Sequence, residues 1–209
     1  MKKFFLPFTV ILLLIGCTET PETIQFVEIS FSFEEGPEIE LNYPEMVGDS
    51  DLSTKVNSKI QSTIASEMSL SEEINFQDIE KAIPAFKKEY NDFNQRFPDS
   101  DQLWELFVDS EVIYQSPEII SISISTYIDT GGAHGNTNVI FLNFDPESGD
   151  VISTDDLVKD RSRFTELVKK YFKESILEQE GEFEVEDSFY GTDFKLPETI
   201  GFSDEGVII

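Results

Sequence analysis

The chain has 209 residues, of which 42 are acidic and 15 are lysine or arginine, so its formal net charge at pH 7 is −27. Such a charge repels nucleic acid and anionic lipid, which excludes a nucleic-acid-binding protein. A hydrophobic fraction of 39% with 19 phenylalanines is sufficient for a folded core, which excludes a disordered chain.

The N-terminal segment has the pattern of a bacterial lipoprotein export signal. Two lysines precede the apolar residues 4–15, and the sequence LIGC then places the only cysteine at position 17. The apolar run is shorter than the roughly twenty residues that span a bilayer. The pattern predicts a signal peptide over residues 1–16, a lipid such as palmitate on Cys17 and a short tether over residues 17–23.

Lipidation predicts a location in the cell envelope. Several acyl chains on Cys17 would hold the protein durably in a membrane. An aspartate directly after the lipidated cysteine is associated with retention in the inner membrane, and this chain has Thr18 there. We therefore expect the protein to be anchored in the outer membrane of a Gram-negative cell. Removal of residues 1–16 takes away two lysines and no acid, which changes the net charge from −27 to −29. This charge either attracts cationic partners or belongs to a salt-adapted soluble surface, and the even spread of acids favours the second interpretation.

The first elements are two predicted strands and two predicted helices. Alternating apolar residues over IQFVEISFSF predict a half-buried strand with Val27, Ile29, Phe31 and Phe33 on one face, and EIELNYP completes a hairpin. A helix capped by Ser50 or Asp51 follows. Its apolar residues recur every four positions at Leu52, Val56, Ile60, Ile64 and Met68.

The second helix carries an aromatic stripe. The stripe consists of Ile79, Ile83, Phe86, Tyr90, Phe93 and Phe97. This spacing is typical of a core face and favours packing over a ligand groove. Pro84 lies within the pattern and predicts either a kink or a later start of the helix.

The middle of the chain predicts an antiparallel meander of LWELFVDSEVIY, EIISISISTYID and NVIFLNF. In the second strand, Ile120, Ile122, Ile124 and Ile128 share one face, and Ser121, Ser123, Ser125 and Tyr127 share the other. A turn at DPESGD leads to a last helix over about residues 160–178, whose apolar side holds Phe164, Leu167, Val168, Tyr171 and Phe172. Short strands are expected in EFEVEDSFYG and near the end.

These elements predict an α+β fold, with an antiparallel sheet packed against two to three helices. We expect two modules, over residues 24–150 and 151–209. The final apolar run GVII has no polar stop, so we expect the last strands of the fold to lie beyond Ile209.

The loop YIDTGGAHG combines three glycines with the only histidine, between two strong strands. A structural hairpin with His134 bonded to a nearby carbonyl is the favoured interpretation, and a recognition loop is the alternative. The loop joins strands and lacks the lysine of a phosphate-binding loop, which disfavours phosphate. The candidate binding residues are Tyr127, Thr130, Gly131, Gly132, His134 and Gly135.

The same loop, followed by NFDPESGDVISTDDLV, resembles the extracytoplasmic domain family shared by the anti-sigma factor RsiV and the peptidoglycan deacetylase PdaC. The matching positions are Tyr127, residues 130–134, residues 148–150 and residues 155–157. The resemblance implies an extracytoplasmic α+β module of unknown function. In RsiV such a region senses lysozyme by binding it, whereas in PdaC it accompanies a separate catalytic domain. Family members usually continue with further aromatic residues and a closing strand, which implies that this sequence is truncated.

Catalysis is disfavoured by the residues that the chain lacks. A zinc site with two histidines is excluded because the chain has one histidine. Nucleophilic catalysis is disfavoured because Cys17 is assigned to lipid and no GxSxG motif is present. We expect no cofactor and no metal. The sequence therefore predicts a membrane-anchored binding lipoprotein for a cationic protein, such as a lysozyme-like muramidase, or for a cell-envelope ligand. A carboxylate-dependent glycan or peptidoglycan hydrolase and a purely structural lipoprotein are the alternatives.

Overall fold

The computed structural model describes residues 24–33, 35–70, 76–180, 188–189 and 191–209, without the side chains of residues 177–180. The predicted signal peptide, Cys17 and the tether lie outside these residues, as does most of the strand expected in EFEVEDSFYG. The described part contains seven strands and four helices. They are β1 (Phe26–Phe33), β2 (Glu38–Met46), α1 (Asp51–Glu67), α2 (Ile79–Arg96), β3 (Glu105–Gln115), β4 (Ile120–Asp129), β5 (Asn136–Phe144), α3 (Thr154–Leu157), α4 (Arg161–Glu180), β6 (Gly201–Ser203) and β7 (Gly206–Ile208).

The main sheet has five strands in the order β1-β2-β3-β4-β5, and β6 and β7 form a separate hairpin. Neighbouring strands are antiparallel except β2 and β3, which pair in parallel with Ile39 opposite Leu106. The exception arises because α1 and α2 connect these two strands, and a long crossover returns the chain in the same direction. The predicted α+β class is confirmed, and the sheet is mixed at this one pair.

Helix α1 forms at the predicted place because its start is capped and its apolar residues share one face. The Ser50 hydroxyl accepts a hydrogen bond from the Ser53 amide at 3.1 Å. Val56, Ile60 and Ile64 are fully buried in one core with apolar residues of β2, β3 and β4. The four-residue spacing therefore produced the predicted packing face.

Helix α2 contributes the aromatic part of the core. Asp78 caps its start, so the helix begins at Ile79 and Pro84 lies inside it, which rules out the predicted later start. Phe86, Tyr90 and Phe93 surround Trp104, with ring centroids 5.4 to 5.7 Å from that of Trp104. The stripe is a core face from Ile79 to Phe93, as the spacing indicated, whereas Phe97 follows the end of the helix and is 54% exposed.

The opposite face of the sheet contacts the C-terminal hairpin. The Phe202 amide donates to the Ser121 hydroxyl at 3.1 Å, and the Asn143 side-chain amide donates to the Ile200 carbonyl at 2.8 Å. Gly201 lies so close to the Phe141 ring that a methyl group there would overlap it. The serine face of β4 is therefore covered at the start of the strand. The predicted division of the chain into two modules after residue 150 stays a prediction.

Two predicted apolar faces are only partly buried. On β1, Val27 and Phe31 are exposed because this strand lies at the border of the sheet. On α4, Val168 is buried, whereas Leu167 and Tyr171 are 47% and 60% exposed. These four side chains therefore lie on the predicted apolar faces without being buried. No helix among the described residues combines the length and apolar content that a membrane crossing requires.

A side-chain bridge joins α1 to the end of β2 and generates a prediction. Asn57 accepts from the Met46 amide at 2.8 Å and donates to the Met46 carbonyl at 2.9 Å. Replacing Asn57→Ala leaves both backbone groups without this partner, so we expect a loss of about 1–3 kcal/mol in the free energy of unfolding. Chemical denaturation measures the loss. Ser62→Ala is the control, because this side chain is only half-buried and bonds only to the Lys59 carbonyl of its own helix, and its stability should stay within about 0.5 kcal/mol of the unsubstituted protein.

Candidate binding site at the glycine loop

The glycine loop, residues 130–135, connects β4 to β5. The Asp129 carboxylate accepts from the Gly131 amide at 2.8 Å and closes a local turn. Gly131 has a φ of +87°, a conformation that side-chain-bearing residues rarely adopt. The sequence DTG thus forms the first half of the loop through a capping carboxylate and a left-handed glycine.

His134 is held by its own neighbour. Its Nδ1 lies 2.8 Å from the carbonyl oxygen of Gly135. Because a carbonyl oxygen only accepts, Nδ1 donates in this contact, and the neutral ring then has Nε2 as an acceptor. The side chain is exposed. The predicted bond to a nearby carbonyl is confirmed, and it fixes the orientation of the ring.

Tyr127 lies on the opposite face of the hairpin. Its ring stacks on Phe107, with centroids 5.9 Å apart and planes 10° from parallel. Desolvation, followed by the charges of Asp129 and Glu105, raises the pKa of Tyr127 above its ordinary value, so the hydroxyl stays protonated at neutral pH. A methyl group at Gly135 would overlap this ring and its hydroxyl. Tyr127 therefore supports the loop from behind.

The other face of the loop opens into a groove of about 360 Å³, called here the loop groove. Its lining comes from the loop, from β4 and β5, and from the end of α1, namely Glu67, Ser69, Leu70, Thr126, Ile128, Thr130, Gly132, His134, Asn136 and Asn138. The Glu67 carboxylate accepts from the Asn138 side-chain amide at 2.7 Å. The Thr126 hydroxyl is buried and has no hydrogen-bond partner among the described residues.

The structure thus sorts the six predicted binding residues. Thr130, Gly132 and His134 line the loop groove. Gly131 and Gly135 shape the loop, and Tyr127 supports it.

Sequence reasoning missed seven of the ten lining residues, among them Glu67, Thr126 and Asn138. The alternation along β4 places Thr126 on the face of Ile128, and the register places Asn138 opposite Thr126, so a hairpin alignment could have found both. Glu67 belongs to a helix far away in sequence, and no local pattern indicates it.

The carboxylates with clear pKa shifts form structural turns and caps. The pKa is lowered for Asp78, Asp145, Asp150 and Asp156. For Asp145 the main cause is the backbone N–H of Ser148, and for Asp150 it is a hydrogen bond from Lys55. A catalytic proton donor needs a shift in the other direction. Among the described residues, no group of three or more His, Cys, Asp or Glu is placed to hold a metal ion.

Comparison with known proteins assigns this fold to a family. The family model of the deacetylase PdaC matches residues 34–137, from the β1–β2 turn through the glycine loop. A DUF3298-family protein from Bacteroides fragilis has a similar crystal structure, with 15% sequence identity and a TM-score of 0.61 over 88% of this chain and 81% of that chain. A second, from Pseudomonas aeruginosa, shares 16% identity with a TM-score of 0.58 over 90% and 81%. No curated protein matches the chain.

These similarities define an α+β domain of the PdaC-like and DUF3298-like class. The chain is similar to this family, whose function is unknown, over residues 34–137, and the predicted resemblance is confirmed.

The close approach of Gly135 to Tyr127 yields a stability prediction. Gly135→Ala forces a methyl group against a ring that Phe107 holds in place, so we expect a loss of about 1–3 kcal/mol in the free energy of unfolding. Gly132→Ala is the matched control, because its nearest neighbour is the His134 carbonyl oxygen at 3.8 Å, and its stability should not change. Thermal denaturation compares the two. Equal stability of both variants contradicts the supporting role of Tyr127.

Proposed function

We propose that this protein is a lipid-anchored, extracytoplasmic binding lipoprotein that captures a cationic protein, such as a lysozyme-like muramidase, at the loop groove. One observation carries the proposal: Thr130, Gly132 and His134 converge with Glu67 and the unpartnered Thr126 hydroxyl on a single open groove. The family resemblance supplies the class of partner, because the corresponding region of RsiV binds lysozyme.

The groove offers acceptors to a basic partner. The Glu67 carboxylate and the Nε2 of His134 can both accept hydrogen bonds from lysine or arginine side chains. A charged hydrogen bond of this kind is stronger than a neutral one. The net charge of −27 also attracts a cationic protein over a longer distance and accelerates the encounter.

Binding fits the site better than catalysis. The Nδ1 of His134 is engaged by the Gly135 carbonyl rather than by an acidic residue that would orient a catalytic base. The lowered pKa values of the shifted aspartates suit hydrogen-bonded caps. No observation on the described residues favours the alternative of a carboxylate-dependent hydrolase.

Binding to lysozyme tests the proposal directly. A soluble form that starts at Thr18 should bind hen lysozyme in isothermal titration calorimetry, with affinity that falls as salt rises. Glu67→Gln and His134→Ala should each weaken binding by about tenfold, the effect of losing one charged or polar contact. Gly132→Val should weaken it as well, since the position has room for a side chain that would then project near the groove.

The matched control is Glu40→Gln. Glu40 is an exposed acid on β2, far from β5, and its substitution removes the same charge. Its affinity should stay within about twofold of the unsubstituted protein, because a distant charge contributes only screened attraction. Equal losses for Glu67→Gln and Glu40→Gln would show nonspecific charge attraction and contradict a site at the loop groove. The absence of any lysozyme binding at low salt contradicts the proposed partner.

The anchor yields a separate prediction. Cells that express the full chain and are fed an alkyne-tagged palmitate should produce a labelled protein in the membrane fraction. Cys17→Ser should remove the label and release the protein from that fraction, because the thiol that receives the lipid is gone. Cys17→Ser with unchanged labelling and membrane association contradicts lipidation at this residue.

A further inference from the structure

The outer side of β5 is a sheet edge with open backbone groups. Strand β5 is last in the sheet order, its one neighbour among the described strands is β4, and its last residue, Phe144, forms an isolated bridge with Val151. On its outer side, the Asn143 carbonyl accepts from the Ile152 amide at 2.8 Å, and the Phe141 amide donates to the Thr199 hydroxyl at 3.0 Å. The C-terminal half of this edge is therefore covered by two later segments of the chain.

The N-terminal half is not covered by any described residue. Backbone direction alternates along a strand, so Thr137 and Val139 present their N–H and C=O groups on the same side as Phe141 and Asn143. No described residue bonds to these groups of Thr137 or Val139, and the Val139 side chain is 47% exposed. The sequence NTNVIFLNF has neither the lysine nor the proline that commonly protects such edges.

A groove of about 650 Å³ runs beside this edge and is called here the strand groove. Its walls are β5, the α1 residues Lys59, Thr63, Ser66 and Glu67, and the segments 151–154 and 197–199. Two lining atoms are buried without a hydrogen-bond partner in the described part, the Thr63 hydroxyl and the Asn143 side-chain oxygen. These side chains are only 7% and 3% exposed. The strand groove and the loop groove share Glu67 and Asn138, so they lie side by side.

We propose that the strand groove takes an extended basic segment of the partner, which adds to the outer edge of β5 as a further strand at residues 137–139. This inference rests on the proposed function and specifies how the partner is recognised. Backbone hydrogen bonds to Val139 hold the segment. Alternate side chains of the segment reach Glu67 and Glu198, which line the groove.

Charge decides between a foreign segment and a second copy of this chain. An edge of this kind can also pair with itself in a dimer. Two copies that each carry a net charge of −27 repel one another, whereas a basic segment is attracted. The occupant that fits the edge and the charge together is a cationic polypeptide in an extended conformation.

A synthetic peptide with alternating lysine and valine, labelled with a fluorophore, tests the inference by anisotropy titration of the soluble chain. One peptide is N-methylated at every lysine and another at every valine. Methylation removes backbone donors along one side of the peptide only. We expect one of the two to lose at least about tenfold in affinity and the other to bind nearly as well as the parent. Equal binding by both methylated peptides overturns strand addition.

The protein side is tested with Val139→Pro and its control Val139→Thr. Proline removes an outward N–H without removing a donor to β4, and edge strands tolerate it. We expect Val139→Pro to weaken peptide binding by about tenfold or more, and Val139→Thr to change it by less than about threefold. If circular dichroism shows that Val139→Pro does not fold, the methylated peptides still test strand addition, because they are titrated with the unsubstituted protein.

The outcomes separate this inference from the proposed function. Binding of lysozyme that depends on Glu67 and His134, together with peptide binding that is insensitive to methylation and to Val139→Pro, overturns strand addition and leaves the proposed function standing. No binding of either probe overturns both. A dimer in sedimentation analysis that Val139→Pro dissociates assigns the edge to a second copy and overturns the inference.

Discussion

The fold depends on the alternation of isoleucine and serine along β4. Ile120, Ile122 and Ile124 are fully buried on the face that holds the core of α1 and α2. Ser121 is equally buried on the other face, where its hydroxyl accepts from the Phe202 amide. A shift of one residue in the register would put the serine hydroxyls into the helical core and the isoleucines against the C-terminal hairpin. The register of β4 is therefore fixed by both layers, and it determines where the glycine loop begins.

Sequence patterns were sufficient where a segment carries its own signal. The spacing in α1 and the aromatic stripe of α2 predict packing faces because helix geometry alone relates those residues. The parallel pairing of β2 and β3 had no such signal, because strand partners across a long helical connection are chosen by the tertiary core. For the same reason the apolar spacing in α4 predicts a helix but does not show whether another element packs on its apolar face. In the structure, Leu167 and Tyr171 on that face are exposed.

The candidate site shows the same division. A turn closed by Asp129 and a left-handed Gly131 follows from residue types, as does the bond of His134 to a nearby carbonyl. Tyr127 is among the predicted binding residues because it is adjacent to the loop in sequence. Side chains alternate between the two faces of a strand, however, and this alternation places Tyr127 behind the loop. The Glu67 carboxylate joins the site only through the packing of α1 against the sheet, which local sequence does not reveal.

In the proposed function, the two grooves form one binding face. We propose that the acidic surface attracts a cationic partner, that the loop groove receives its side chains, and that the edge of β5 pairs with its backbone. Amide hydrogen exchange measured by NMR, with and without lysozyme, tests this account most directly. The account predicts that the Val139 amide exchanges rapidly in the free protein and slowly in the complex, whereas the Ile140 amide, directed toward β4, is protected in both. Rapid exchange at Val139 in a saturated complex would contradict it.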